Sequence, residues 1–263
     1  MYQNGANARS TSFLQNQVHV SKSDKFIAIE PAQIEAVLND HGFDLVHLKT
    51  GRAKSSDRQD FQTTIARYRS RSQFEINGSH FDLIFKVPHL YGKLVGVLGL
   101  FRGACANQLN VGKHFETIKV AHLANPVSEL DSLIPMLVAQ QSSLVEMVKM
   151  MQSRIVTPIE LAQFATEVAT IRLSQTENVC KIYAAPLLKV RRTDDAASDL
   201  WTCLNVVQEN LIRGGVGYQT ETFDINNIRT IRNCTARNVS EQSARAIDLN
   251  GSIWDAASKL LTA

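Results

Sequence analysis

No stretch of about 18 consecutive apolar residues occurs in this 263-residue sequence, so no membrane span is expected. The N-terminal Met-Tyr-Gln-Asn-Gly-Ala-Asn-Ala-Arg-Ser lacks a basic start followed by an apolar core, so no secretory leader is expected either. Cysteine is scarce, and Cys105, Cys180, Cys203 and Cys234 form no Cys-x-x-Cys pair. That spacing argues against structural zinc and for free thiols in a reducing cytoplasm. Charge of one sign is also missing. With 28 basic and 25 acidic residues the net charge is +3, which neither demands nor excludes nucleic acid; the placement of the charges has to decide.

Enzyme signatures are absent too. There is no Gly-x-x-x-x-Gly-Lys-Ser/Thr loop for a nucleotide, no His-Glu-x-x-His, and no Gly-x-Ser-x-Gly elbow. The seven histidines show no metal-ligand spacing. A non-enzymatic protein without cofactor or metal is therefore expected. Cys105 with Asn107 and His89 or His122 is the one nucleophile arrangement the sequence offers. A small buried residue packing a turn is the commoner role for such a cysteine.

What is present reads as an α+β chain. Residues 1–24 are polar, rich in Asn, Gln and Ser, and read as a flexible arm. Glu30-Pro31 opens a helix with Ile34, Val37 and Leu38 on its stripe, closed by His41-Gly42. Phe43–Lys49, Phe61–Gln73, Phe81–Val87, Lys93–Phe101 and Phe115–Val120 read as strands, with Arg102–Leu109 as a short helix or tight turn. An N-terminal helix plus antiparallel sheet over 25–125 is thus followed by a mainly helical region over 126–263, packed on it. Pro135 is expected to kink or end the first of its helices. Thr157-Pro158-Ile159-Glu160 is a capping box that starts a helix over Ile159–Leu173. Gly214–Asn238 reads as turn-rich and polar, and Ser240–Leu261 as a closing helix.

Ser198 to Gly215 reads as a complete helix: Ser198 as cap, Asp199 at the positive end of the dipole, and Leu200, Leu204, Val207 and Leu211 as one apolar stripe. Arg213 lies in its last turn, and Gly214 supplies the left-handed ending. This block, Asp-Leu-Trp…Val-Gln-Glu-Asn-Leu-Ile-Arg-Gly-Gly, resembles one in a phage- and plasmid-borne family, domain of unknown function 932 (uncharacterised protein family 0380). Other blocks are similar to the same family. They are Ile34–Phe43, Arg67-Tyr68-Arg69, Gly99-Leu100-Phe101-Arg102 with Cys105, Asn107, Leu109 and Gly112, then His122, and Ile247-Asp248-Leu249-Asn250 with Trp254 and Ala257. Two places depart from its pattern: Pro88–Gly92 keeps His89 and Gly92 but has no Asp, and the segment after the double glycine is longer and carries Glu221 and Asp224. The family has no established activity, so the resemblance implies relatedness and a bacterial host cell rather than a reaction.

Charge placement points further. Arg67, Arg69 and Arg71 alternate along a strand, so they project from one sheet face at intervals of about 6.6 Å, twice the strand rise. No acidic residue lies between Gln62 and Phe74, so pairing within the strand is excluded. Such a row suits the phosphates of an extended single strand, with Arg as bidentate donor. Arg102, Lys113 and Lys119 extend the candidate set, as do Arg191, Arg192 and Arg213, which could instead pair with Asp194, Asp195 and Glu209. Helix, basic antiparallel sheet and short helix bear a topological likeness to Rad-fifty-two-type annealing proteins, which form rings or filaments around single-stranded DNA. The expectation is a single-stranded DNA-binding or annealing protein of a phage or mobile element, acting in recombination or replication, possible as a homo-oligomer and without a membrane partner. The alternative is an oligomeric structural or interaction protein that binds no nucleic acid. Trp201 and Trp254 lie on apolar stripes and read as core rather than as stacking platforms.

Overall fold

Pro31 at the first helical position sets the backbone for α1, Pro31–Asp40, and the Glu30 amide donates to Gln33 Oε1 at 3.0 Å. Gly42, with φ of 81°, then turns the chain into a sheet. The computed structural model describes residues 24–51, 62–71, 75–76, 79–88, 92–102, 108–110, 117–239 and 244–262. The expected arm over 1–24 lies almost wholly outside them.

The sheet holds β1 (Phe43–Thr50), β2 (Thr64–Ser70), β3 (Glu75–Ile76), β4 (Ser79–Val87), β5 (Leu94–Arg102), β6 (Gln108–Asn110) and β7 (Ile118–Val120). Its order is β1-β2-β4-β5-β6, with β3 on β4 and β7 on β5, and every pairing is antiparallel. The strand period of two puts Ala66, Tyr68, Phe81, Leu83, Phe85, Leu98 and Leu100 on one face, all buried. They pack under Ile34 and Leu38 of α1 and Leu130, Ile134 and Leu137 of α2, Pro126–Ala139. Gly96 sits on this face because a Cβ there would lie 2.5 Å from the Phe85 ring and 2.7 Å from Ile118.

The short helix or tight turn expected over Arg102–Leu109 lies mainly outside the described residues; at its ends β5 runs through Arg102, and β6 begins at Gln108 as its pairing partner. Pro135 does not end its helix, since α2 continues to Ala139. The residue is exposed, so the carbonyl it leaves without an amide faces water, where the loss costs least.

The rest of the chain is α3 (Gln141–Ser153), α4 (Pro158–Leu173), β8 (Val179–Tyr183), α5 (Leu200–Arg213), β9 (Gly217–Phe223), β10 (Arg229–Thr235) and α6 (Ala244–Thr262). The capping box at α4 forms as read. Thr157 Oγ1 accepts from the Glu160 amide at 3.3 Å, and Glu160 Oε2 accepts from the Thr157 amide at 2.8 Å. The stripe of α5 is fully buried at Leu200, Leu204, Val207 and Leu211, and Trp201 packs edge-on against Trp254 of α6 at 6.3 Å. Both tryptophans are core. Residues of the first sheet and of the later helices share one continuous hydrophobic cluster.

The cap of α5 is Asp199, not Ser198: its carboxylate accepts from the Thr202 amide at 2.9 Å. Ser198 is held extended instead, its carbonyl accepting from the Val156 amide at 2.8 Å in a bridge between Ile155 and Asp199. The turn-rich segment after Gly214 is in fact a β-hairpin, β9–β10, which with β8 makes a second sheet of order β10-β9-β8. Its turn is built by Asp224, whose Oδ1 accepts from the amides of Asn226 and Ile228 at 2.8 Å each, with Asn227 at φ of 59°.

Candidate nucleic-acid interface

The face of the first sheet opposite the core carries the charges. Burial of Ala66 and Tyr68 beneath the helices turns Arg67 and Arg69 outward, and burial of Phe85 and Val87 turns Lys86 the same way. Ile118 and Val120 do so for Lys119. The register then aligns Lys49, Ile65, Lys86, Val95 and Lys119 across successive strands as one row. Neighbouring strands are about 4.8 Å apart, so the lysines recur about every 10 Å. A second row holds His47, Arg67, Ile84 and Val97, and a third holds Asp44, Arg69, Asp82 and Gly99. Ile247 of α6 packs against Ile65, Ile84 and Val97 and covers the middle of the face.

The arginine row has carboxylate partners. Arg69 grips Asp82 through Nε at 2.9 Å and Nη2 at 3.1 Å, and Arg67 Nε lies 3.3 Å from the same carboxylate, whose side chain is fully buried. Arg71, just past β2, donates to Asp44 at 2.6 Å and to Asn39. Pairing within β2 is indeed impossible, but the sheet brings Asp82 and Asp44 in from the adjoining strands. Burial raises the Asp82 carboxyl above its ordinary value while Arg69 and Arg67 pull it down; it also lowers the Arg67 guanidinium. The bond to Asp82 raises Arg69, and Arg71 holds the exposed Asp44 below the usual carboxylate range.

The arginines around α5 are tied into the core. Glu209, nearly inaccessible, accepts from Arg192 at 2.6 and 2.8 Å and from Arg213 Nε at 2.9 Å. Arg192 also donates to Asp195 at 2.9 Å, and Arg191 donates to Asn210 Oδ1 at 2.7 Å. Asn210 in turn donates to the carbonyls of Leu187 and Lys189, and Gln208 donates to Asn250 of α6 at 3.0 Å. Gln208, Glu209 and Asn210 thus fasten three different segments to one helix.

Of the remaining candidates, Lys113, His89, Cys105 and Asn107 lie outside the described residues, and Arg102 is described by its backbone alone, at the end of β5. His122 is buried, stacked on Phe26 at 4.8 Å with Nδ1 3.2 Å from the Ile27 carbonyl, which fixes the segment before α1 to the end of β7. Among the described residues no group of three or more His, Cys, Asp or Glu could hold a metal ion, and no helix is long and apolar enough to cross a membrane. Lys49 and Lys86 were missed by a reading centred on arginine, although alternation in their own strands marks both.

The profile of a family described as "Domain of unknown function (DUF932)" matches residues 18–254. Two Escherichia coli K12 proteins are similar: UPF0380 protein YafZ, 25% identical over 246 residues, and UPF0380 protein YfjQ, 26% identical over 250. Each alignment covers 93% of this chain and 85% of the relative. No solved structure matches, and nothing supports the topological likeness to Rad-fifty-two-type annealing proteins.

Proposed function

The chain belongs to the DUF932 family, which carries no activity to transfer, and from that premise we propose, on geometry alone, a non-enzymatic single-stranded DNA-binding protein of a phage or mobile element. The observation behind this reading is the outer face of the first sheet, where Lys49, Lys86 and Lys119 form a row beside Arg67, Arg69 and Arg71 against only Asp44 and Asp82 among the described acids. Cations in rows on a sheet follow a phosphate backbone and leave the bases free to pair, as recombination or replication requires. The contact is electrostatic, since the two tryptophans that could stack on bases are buried.

Fluorescence anisotropy with labelled oligothymidylate across a salt series tests this. Binding weakens steeply as salt rises, and a Lys49→Ala/Lys86→Ala/Lys119→Ala variant flattens the log–log salt slope by about 2. No binding at low salt refutes the reading. Binding with an unchanged slope in the variant moves the interface off this face.

A second reading, an oligomeric or interaction protein, is favoured by the hairpin. Phe223, Ile225, Ile228 and Ile231 are all exposed there, Ile225 completely. Sedimentation of the wild type against Ile225→Ser/Ile228→Ser distinguishes it.

A further inference from the structure

Arg172 ends α4 on a buried face, with only 8% of its surface accessible. Among the described residues its one side-chain hydrogen bond goes from Nη2 to the Arg237 carbonyl at 2.9 Å, its buried Nε has no partner, and no carboxylate pairs with it. A buried guanidinium without a counter-charge is costly, and such groups are ordinarily neutralised by an acid or by a bound anion. Among the described residues a charge of the same sign acts on it instead. Arg245, in the first turn of α6, faces Arg172 closely enough to push its guanidinium down further, beyond the effect of burial.

The two arginines line a cavity of about 410 Å³ between the end of α4 and the start of α6. Ser174, Gln175 and Ser252 add neutral hydrogen-bonding groups to its wall. Asp248, one turn beyond Arg245, is the single acid among the described lining residues, and Arg172 is shifted by burial and Arg245, opposed by Tyr218. Among the described residues no aromatic side chain lines the cavity to stack on a base. Its volume falls in the range of small-ligand sites.

We propose that this cavity is a phosphate-binding site, in which Arg172 and Arg245 clamp the oxygens of a phosphate group and the serine hydroxyls and Gln175 complete its hydrogen bonds. Two planar forks lining one cavity suit the oxygens of a tetrahedral oxyanion, and the anion supplies the counter-charge that Arg172 lacks among the described residues. The phosphate is either a free phosphate or the terminal phosphate of a DNA strand. The site is separate from the basic sheet face and does not depend on the reading given for it.

The test is thermal unfolding in sodium phosphate against sodium chloride at equal ionic strength, for the wild type and Arg245→Gln. Arg245 is exposed, so its replacement leaves the fold intact. The wild-type Tm rises by about 3 °C at tenfold excess over Kd, and the rise is absent from Arg245→Gln. No phosphate-specific rise, or an equal rise in the variant, overturns the proposal. A 5′-phosphorylated oligothymidylate compared with its unphosphorylated counterpart identifies the source. Tighter binding of the phosphorylated strand, lost in Arg245→Gln, assigns the site to a strand end. Equal binding of the two strands, with the phosphate rise intact, assigns it to a free phosphate. Because the sheet face is probed with an unphosphorylated strand, either result can fail without the other.

Discussion

Glu209 holds Arg192 with both carboxylate oxygens, at 2.6 and 2.8 Å, from a helix position that is almost sealed from solvent. The most recognisable block of the sequence is therefore a fastening, in which consecutive polar residues of α5 reach the preceding loop and α6. Removing one member of such a set strands the other charges. Glu209→Gln is expected to lower stability by about 3 kcal/mol, measured by urea unfolding, with Arg213 losing its carboxylate and Arg192 left with Asp195 alone.

Gly214 ends α5 at φ of 82°, and a Cβ there would lie 2.7 Å from backbone atoms of Ala236, Arg237 and Asn238. Both the dihedral angle and the crowding exclude a side chain. Gly214→Ala is expected to destabilise by about 3 kcal/mol in the same assay, whereas Gly215→Ala, with nothing within 4 Å, pays for its φ of 90° alone and loses less.

The Glu160 carboxyl is held down to about 2 by the Thr157 amide first, then by the Thr157 hydroxyl and Arg154. A lowered folded value means that the stabilisation is complete above the ordinary carboxyl value of 4.5 and fades as pH falls from there toward 2. The stability gap between wild type and Glu160→Gln should be constant above pH 4.5 and close over that window, as followed by circular dichroism.

Asp44 and Arg71 form an exposed pair, 2.6 Å apart, at the edge of the basic face. Exposed pairs of this kind contribute little to stability, so Asp44→Asn should leave Tm nearly unchanged. Releasing Arg71 and removing a repelling carboxylate should raise oligonucleotide affinity severalfold in anisotropy. Unchanged affinity would detach this end of the sheet from the interface.

Cys203 is buried against α4, and burial, then Asp199, push its thiol up to about 11. Cys180 is exposed. At pH 8 a thiol reagent should label Cys180 quickly and leave Cys203 untouched until denaturant is added, so Cys203→Ser should lose no fast-reacting thiol.

Local signals carried much of the fold. The capping box at Thr157, the stripe of α5 and the left-handed glycine at 214 depend on residues within a few positions of one another, and all three formed. Strand alternation likewise placed Arg67 and Arg69 on one face. Their partners could not be read the same way, because Asp82 and Asp44 arrive through pairing with residues 13 and 27 positions away. The hairpin was hidden for a different reason. Its strands are rich in Thr and Arg, and the apolar residues near its tip face solvent, so no buried alternation marks it. Arg172 was concealed as one charge at the end of an otherwise apolar helix face, and only the fold reveals that no acid among the described residues meets it.

The base of that hairpin is stitched at several points: Gly215 donates to the Ala236 carbonyl at 2.9 Å, Ala236 to Val216 at 2.8 Å, and Val239 to Ile212 at 2.8 Å. The two ends of the arm are thus sewn to the end of α5, while its turn at 224–228 is exposed throughout. The arm is in effect a handle with a fixed grip and a free end. Epitopes, fluorophores or whole inserted domains can be placed at the turn without loosening the helix that organises the molecule.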